Sequence, residues 1–194
     1  MTQIHELLTT VLPTIIHPNF KHPNSGGSLK FEDNNQQSKC KIVEIKTSQK
    51  VFALSLDIQG RKPFCCFNES QELYSKKNDG IIFSEYQGNL LILLIELKSD
   101  NPTGYLDQLK AGRNFVKYLL HQINTFSHLN FDERNVIWRY ILFRTCSRTI
   151  PPKNTTKKIS SIEFKNRGTD QDEIICTTLS CNEAYQLQKI KDAI

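Results

Sequence analysis

The sequence has no long hydrophobic run. Its longest apolar stretch, 90–95, is far shorter than the roughly 20 residues a membrane-spanning helix needs. There is no charged-then-apolar leader either, since residues 1–16 read as an amphipathic helix with Glu6 inside it. Both absences predict a soluble, cytoplasmic protein with no membrane partner. The six cysteines, Cys40, Cys65, Cys66, Cys146, Cys176 and Cys181, form no C-x-x-C pair and no Cys/His group at zinc spacing. Scattered reduced thiols packed as small apolar residues are expected. His5, His17, His22, His121 and His128 lack the H-E-x-x-H spacing, no serine lies in a G-x-S-x-G elbow, and P-loop and dinucleotide fingerprints are missing. These gaps set aside zinc peptidases, serine hydrolases and nucleotide-binding folds.

What remains is a chain of 194 residues, read as a single domain over 1–194. Its core is expected at about 39–146. Residues 17–37, with Asn24-Ser25-Gly26-Gly27-Ser28 and Asp33-Asn34-Asn35, read as a polar flexible insertion. Residues 147–194 read as a basic C-terminal extension with a closing helix. The net charge is +5. Arg144, Arg148, Lys153, Lys157, Lys158, Lys165 and Arg167 follow one another with only Glu163 opposing. That run suits phosphate contacts, and taken by itself it is better read as a solvated loop.

The densest chemical signal is 78–98, NDGIIFSEYQGNLLILLIELK. The apolar run 90–95 between Gly88-Asn89 and Asp100-Asn101-Pro102 predicts a central strand buried on both faces. Alternation places Glu96 and Lys98 on the face of Ile92 and Leu94. Asp79 opens the partner segment Gly80-Ile81-Ile82-Phe83, and Gln87-Gly88 suits a hairpin loop. The loop sets Asp79 across from Ile95 or Glu96, and a one-residue slip would turn the face over. Removing a charge from water costs several kcal/mol per ion unless it is paired or binds a metal. Two converging carboxylates suit a hard divalent cation such as magnesium.

The remaining elements frame that hairpin. A helix over 3–16, with Thr2 as cap, should kink or end at Pro13. Segments 41–46 and 51–57 alternate and read as a first hairpin. Residues 59–77 read as irregular or one short helix, and Glu69 and Glu72 within it could approach a metal. A helix capped by Thr103 runs from about 104 to 124, with Gly112 allowing close approach to the sheet and Gln108 near the edge of its apolar side. Segment 136–143 is the next strand, and a helix between two strands of one sheet implies a parallel crossover. Shorter strands are expected at 159–164 and 173–178. A closing helix is expected at 182–190 with Ala184, Leu187 and Ile190 inward. The order becomes α-β-β-β-α-β, a mixed sheet flanked by helices.

An acid at Asp79, then Glu96-Leu97-Lys98 at the end of a hydrophobic strand, then a helix with Gln108, resembles the PD-(D/E)XK nuclease superfamily. The resemblance covers roughly 39–143 and departs at Asn78, where the family pattern has proline. It implies a restriction endonuclease-like α/β core and a Mg2+ (or Mn2+)-dependent nuclease acting on nucleic acid, DNA favoured over RNA. Asp79 and Glu96 would be metal ligands, with the Leu97 carbonyl as a further donor. Lys98 would serve the attacking water, Gln108 would hydrogen-bond near it, and Glu6 is the candidate extra acid from the first helix. A chain of this size would work as a homodimer or through recruitment by a partner protein. The alternative is a catalytically silent nuclease-fold subunit that binds nucleic acid or a partner protein in a defence, repair or mobile-element complex.

Overall fold

The structure, a computed structural model, describes residues 2–22, 27–33, 35, 37–60, 76–99, 103–145, 162–169 and 173–194. Its centre is strand β5 (Asn89–Lys98), whose residues between the two ends are buried throughout. Strand β4 (Gly80–Tyr86) pairs with it antiparallel, and β6 (Val136–Arg144) pairs with it parallel on the other side. With β3 (Val51–Leu54), β7 (Lys165–Asn166) and β8 (Ile175–Ser180) these make a six-stranded mixed sheet in the order β3-β4-β5-β6-β8-β7. A second sheet has the order β1-β2-β9, from β1 (Ser28–Glu32), β2 (Ile42–Lys46) and β9 (Ala184–Gln186). The class is α/β, with mixed sheets and few helices.

The two-residue period of β5 divides the core. Ile92 and Leu94 join Ile81 and Phe83 in one apolar cluster with Leu109, Val116 and Leu120 of helix α3 (Tyr105–Phe126), in which Leu7 and Leu12 of the N-terminal helical segment also pack. Leu91, Leu93, Ile95 and Leu97 join Ile82 in the other, against Leu29, Phe31, Val43 and Ile45 of the small sheet and Leu187 and Ile190 of helix α4 (Leu187–Lys191). Each fully buried Leu or Ile contributes about 1.5–3 kcal/mol. A strand covered on both faces has no polar alternation to show, which is why 90–95 reads as an unbroken run.

The N-terminal helix starts with Thr2, whose hydroxyl accepts from the His5 N–H at 3.2 Å. Helical turns Gln3–Glu6 (α1) and Leu12–Ile15 (α2) flank a π-helical segment, Leu7–Val11. The Leu12 N–H reaches back five residues to the Leu7 carbonyl. This widened turn just before Pro13 makes room for a ring that lacks an N–H and would clash in a regular helix. The chain therefore carries its helix through Pro13 and ends it at Ile15.

Several expectations are corrected. Segments 41–46 and 51–57 do not pair with each other: β2 pairs with β1 and β9, while β3 pairs with β4. β2 alternates in burial and β3 is buried from Phe52 to Leu54, but neither pattern chooses a partner, and the β4–β5 hairpin offers β3 a longer apolar edge. Residues 17–37 are not one flexible insertion, because 28–32 form β1 with Leu29 and Phe31 fully buried. Helix α3 starts at Tyr105 behind Gly104, which takes φ 71° and stands as the cap in place of Thr103. In 159–164 the described part, 162–164, is not strand, and β7 follows it. The closing helix is confined to α4. Residues 184–186 form β9, and Ala184 is exposed rather than inward.

The cysteines are corrected as well. Cys40 and Cys181 are joined by a disulfide with a Cα–Cα distance of 5.2 Å. Parallel pairing of β2 with β9 brings the residue two before β2 beside the residue after β8, although they are 141 apart in sequence. Asn182 locks the junction, with its N–H on the Ile42 carbonyl and its Oδ1 accepting from Lys41 and Ile42. Cys176 is a buried free thiol, and Cys65, Cys66 and Cys146 lie outside the described residues. No helix among the described residues is long and apolar enough to cross a membrane.

Candidate active site

The β4–β5 hairpin turns on Gln87 and Gly88, both at positive φ (50° and 78°), the backbone a tight two-residue loop requires. That fixes the register. Gly80 pairs with Ile95, so Asp79 stands opposite Glu96, one of the two positions the sequence left open. The Leu97 N–H donates to Asp79 Oδ2 at 2.7 Å. Glu96 is fully buried (0% exposed), and Lys98 Nζ lies 2.9 Å from its Oε1. Two carboxylates and one ammonium are thus gathered at one end of the core strand.

Asn78, where the nuclease pattern would have proline, helps to build this end. It is fully buried, and its amide donates to the Ile95 carbonyl at 2.8 Å and to Glu96 Oε2 at 3.4 Å. Its Oδ1 is buried without a hydrogen-bond partner among the described residues. Proline could make none of these contacts. Gln108 reaches the strand entrance as well, donating to the Lys77 carbonyl at 3.3 Å. A Cβ on Gly112 would stand 2.6 Å from Leu94 Cδ2 and 3.0 Å from Asn78 Cβ. Helix α3 can approach Asn78 and the strand this closely because residue 112 is glycine.

Burial dominates the electrostatics. Loss of solvent raises Asp79 to about 7, against the Leu97 N–H and Lys98, which favour the charged form, while Asp57 pushes further upward. Glu96 is raised well above the usual carboxylate range, first by burial and then by the charge of Asp79, with Lys98 opposing both. Asp57, which sequence patterning did not single out, faces this centre from the segment after β3 and lies 3.8 Å from Lys77. With Asp79 it lines a cleft of about 210 Å³ together with Phe20, Lys21, His22, Lys30, Glu32, Ser55 and Ile58. No motif marks these cleft residues, because they come from four separate stretches of chain.

Among the described residues, no three His, Cys, Asp or Glu side chains converge to hold a metal ion. The donor set on hand is two carboxylates, which suits a hard cation that keeps several waters and takes only one or two protein oxygens. Two acids against a single lysine leave an excess of negative charge when both are ionised, and a bound cation would relieve it.

Other candidates lie elsewhere. Glu6 bonds His128 (Oε1–Nε2 3.0 Å), and residues 2–4 border the cleft that contains Gly88 and Asn89 at the turn end of the hairpin, so Glu6 is not brought to Asp79. Glu69 and Glu72 fall outside the described residues, as do Arg148, Lys153, Lys157 and Lys158 of the basic run. Of that run, Lys165 pairs with Glu163 at 3.2 Å, and Arg144 stands beside Lys98 in the β5–β6 register.

No known family, curated protein or solved structure matches this chain.

Proposed function

We propose that the chain is a metal-dependent nuclease with a restriction endonuclease-like core of PD-(D/E)XK type, hydrolysing phosphodiester bonds of nucleic acid, DNA favoured over RNA. The observation that carries this reading is the meeting of Asp79 and Glu96 across the hairpin, with Lys98 on Glu96, at the end of a buried strand. Evolution has little reason to place such charges there for stability alone, since a buried pair is at best a neutral exchange for apolar packing.

Asp79 and Glu96 would hold Mg2+ or Mn2+, which when bound lowers the pKa of water and offsets charge on phosphorus. Lys98 is held at 2.9 Å by Glu96 and is 22% exposed, so its ammonium can serve water and a phosphate oxygen beside the two carboxylates while staying aligned. Gln108 acts as a positioning residue: by bonding the Lys77 carbonyl it fixes the segment that delivers Asn78 and Asp79. Asn78 in turn sets the Glu96 carboxylate. A cytoplasmic setting, with action as a homodimer or beside a recruiting partner, belongs to the same proposal.

One observation favours a second reading, a nuclease-fold subunit without catalysis. Glu96 already has the Lys98 ammonium 2.9 Å from Oε1 and the Asn78 amide 3.4 Å from Oε2, and among the described residues the acids fall short of a three-ligand group. Incubating purified protein with supercoiled and linear DNA separates the two. Cleavage that needs magnesium or manganese and stops with a chelator supports the nuclease. Retention of DNA without cleavage in either metal supports the silent subunit, and cleavage that survives the chelator rejects the two-carboxylate site.

A further inference from the structure

The cleft beside Asp79 contains a side chain that the proposed chemistry does not yet use. His22 is half-buried on its wall. Its backbone is fixed: the His22 N–H donates to the Ala53 carbonyl at 2.9 Å, Lys21 bridges to Leu54, and the Ser55 N–H donates to the Phe20 carbonyl at 3.0 Å. Residues 20–22 are thus held along the edge of β3. The imidazole lies against Phe31, with ring centroids 4.5 Å apart. Phe31 is itself 1% exposed and lies so close to Gly80 that a Cβ there would stand 2.4 Å from its Cε1. The position of the imidazole is therefore set, through one rigid ring, by the backbone adjoining Asp79.

No hydrogen bond of this ring is found among the described residues. His17, by contrast, accepts the Asn19 N–H through Nδ1, and His128 bonds Glu6. The Lys21 ammonium is turned away to the Pro13 carbonyl. A half-buried polar ring that is locked in place and bonds none of the described residues is suited to an incoming partner.

We infer that His22 is a substrate-contacting residue of the Asp79 cleft, its ring N–H donating to a non-bridging phosphate oxygen of the bound strand. The inference rests on the nuclease reading. Burial holds His22 below the ordinary histidine range, with Glu32 opposing only in part, so the ring is neutral at pH 7 and offers one N–H donor. A neutral donor suits a cleft that Glu32 and Asp57 also line, where a phosphate needs orientation as well as charge.

The test uses the full chain, magnesium and a fluorescein-labelled duplex. His22→Phe keeps an aromatic ring on Phe31 and removes the donor, whereas His22→Asn restores one. The expected result is a fall in kcat/KM of about 10- to 100-fold for His22→Phe with an unchanged melting curve, partly recovered in His22→Asn. In the wild type, with calcium replacing magnesium, the His22 ring nitrogen resonances should shift when the duplex is added. Wild-type cleavage that His22→Phe leaves intact overturns the inference alone. A wild type that cleaves with neither magnesium nor manganese overturns the nuclease reading and this inference with it. If His22→Phe does not fold, the resonances decide, and unshifted ring nitrogens overturn the proposal.

Discussion

At the scale of single residues, Asp79 and Lys98 should respond to substitution in opposite ways. Asp79 has a folded pKa of about 7 against an ordinary 3.8. The folded state therefore binds its proton more tightly than the unfolded chain does. That stability is fully present below about pH 4 and is lost as pH rises through 7, with on the order of a few kcal/mol at stake. Asp79→Asn keeps an oxygen for the Leu97 N–H and removes the charge. Denaturant unfolding at pH 4 and at pH 7.5, without metal, should show a decline in the wild type that is smaller in the variant, where Glu96 alone of the two acids still titrates. Equal slopes would mean that Asp79 is ionised at no cost in the folded protein. Lys98→Ala should cost about 3 kcal/mol, the low end for a broken buried pair, since Glu96 is left without its counter-charge. If the nuclease reading holds, both variants lose cleavage, so stability and activity separate for the acid and fall together for the lysine.

Among the elements, those marked by a pattern within one stretch of chain are legible, and those fixed by tertiary pairing are not. The β4–β5 hairpin was readable because Gln87-Gly88 fixes its own turn, and helix α3 because its apolar spacing runs for many turns. Strands β1, β2 and β9 unite stretches from 28–32, 42–46 and 184–186, and no local pattern announces that sheet. The candidate site divides the same way. Asp79, Glu96 and Lys98 lie on one hairpin and can be read together, whereas Asn78 shows in the sequence only as a departure from the pattern. His22 and Asp57 reach the cleft through tertiary pairing. Gly112 gives an element-scale prediction. Gly112→Ala should gain helix propensity of about 1 kcal/mol, yet its Cβ would press on Leu94 and on Asn78. Overpacking of this kind costs about 1–3 kcal/mol, so the net change should be small or unfavourable. Because Asn78 holds Glu96, cleavage should fall more than thermal stability does. A variant with full activity would show that the Asn78 contact does not position the site.

For the whole molecule, the decisive link is Cys40–Cys181, which ties the small sheet to the strand ends that carry the candidate site. Cys181 Sγ lies 3.9 Å from the Lys98 carbonyl, and Cys40 Sγ lies 3.7 Å from the Phe143 carbonyl. Close by, Ser99 accepts the Lys39 N–H at 2.9 Å and lies 3.0 Å from Ser38 Oγ. The residue after Lys98 is thus held by the segment that carries Cys40. The closed loop spans 141 residues of sequence, and in the chain-entropy account its closure stabilises by about 5 kcal/mol. Disulfides are uncommon in reducing cytosol, so the bond and the cytoplasmic expectation pull apart, and the thiol state of protein isolated under alkylation should be measured directly. Mass spectrometry of protein alkylated before lysis should find Cys40 and Cys181 linked and Cys176 unlinked. Reduction of the purified protein should then lower the melting temperature, and Asp79 and Lys98 variants should fall by a similar amount, since the loop term acts on the unfolded chain they share. If Cys40 and Cys181 are both alkylated in the native protein, the small sheet is held by its packing alone, and reduction should leave the melting curve where it was.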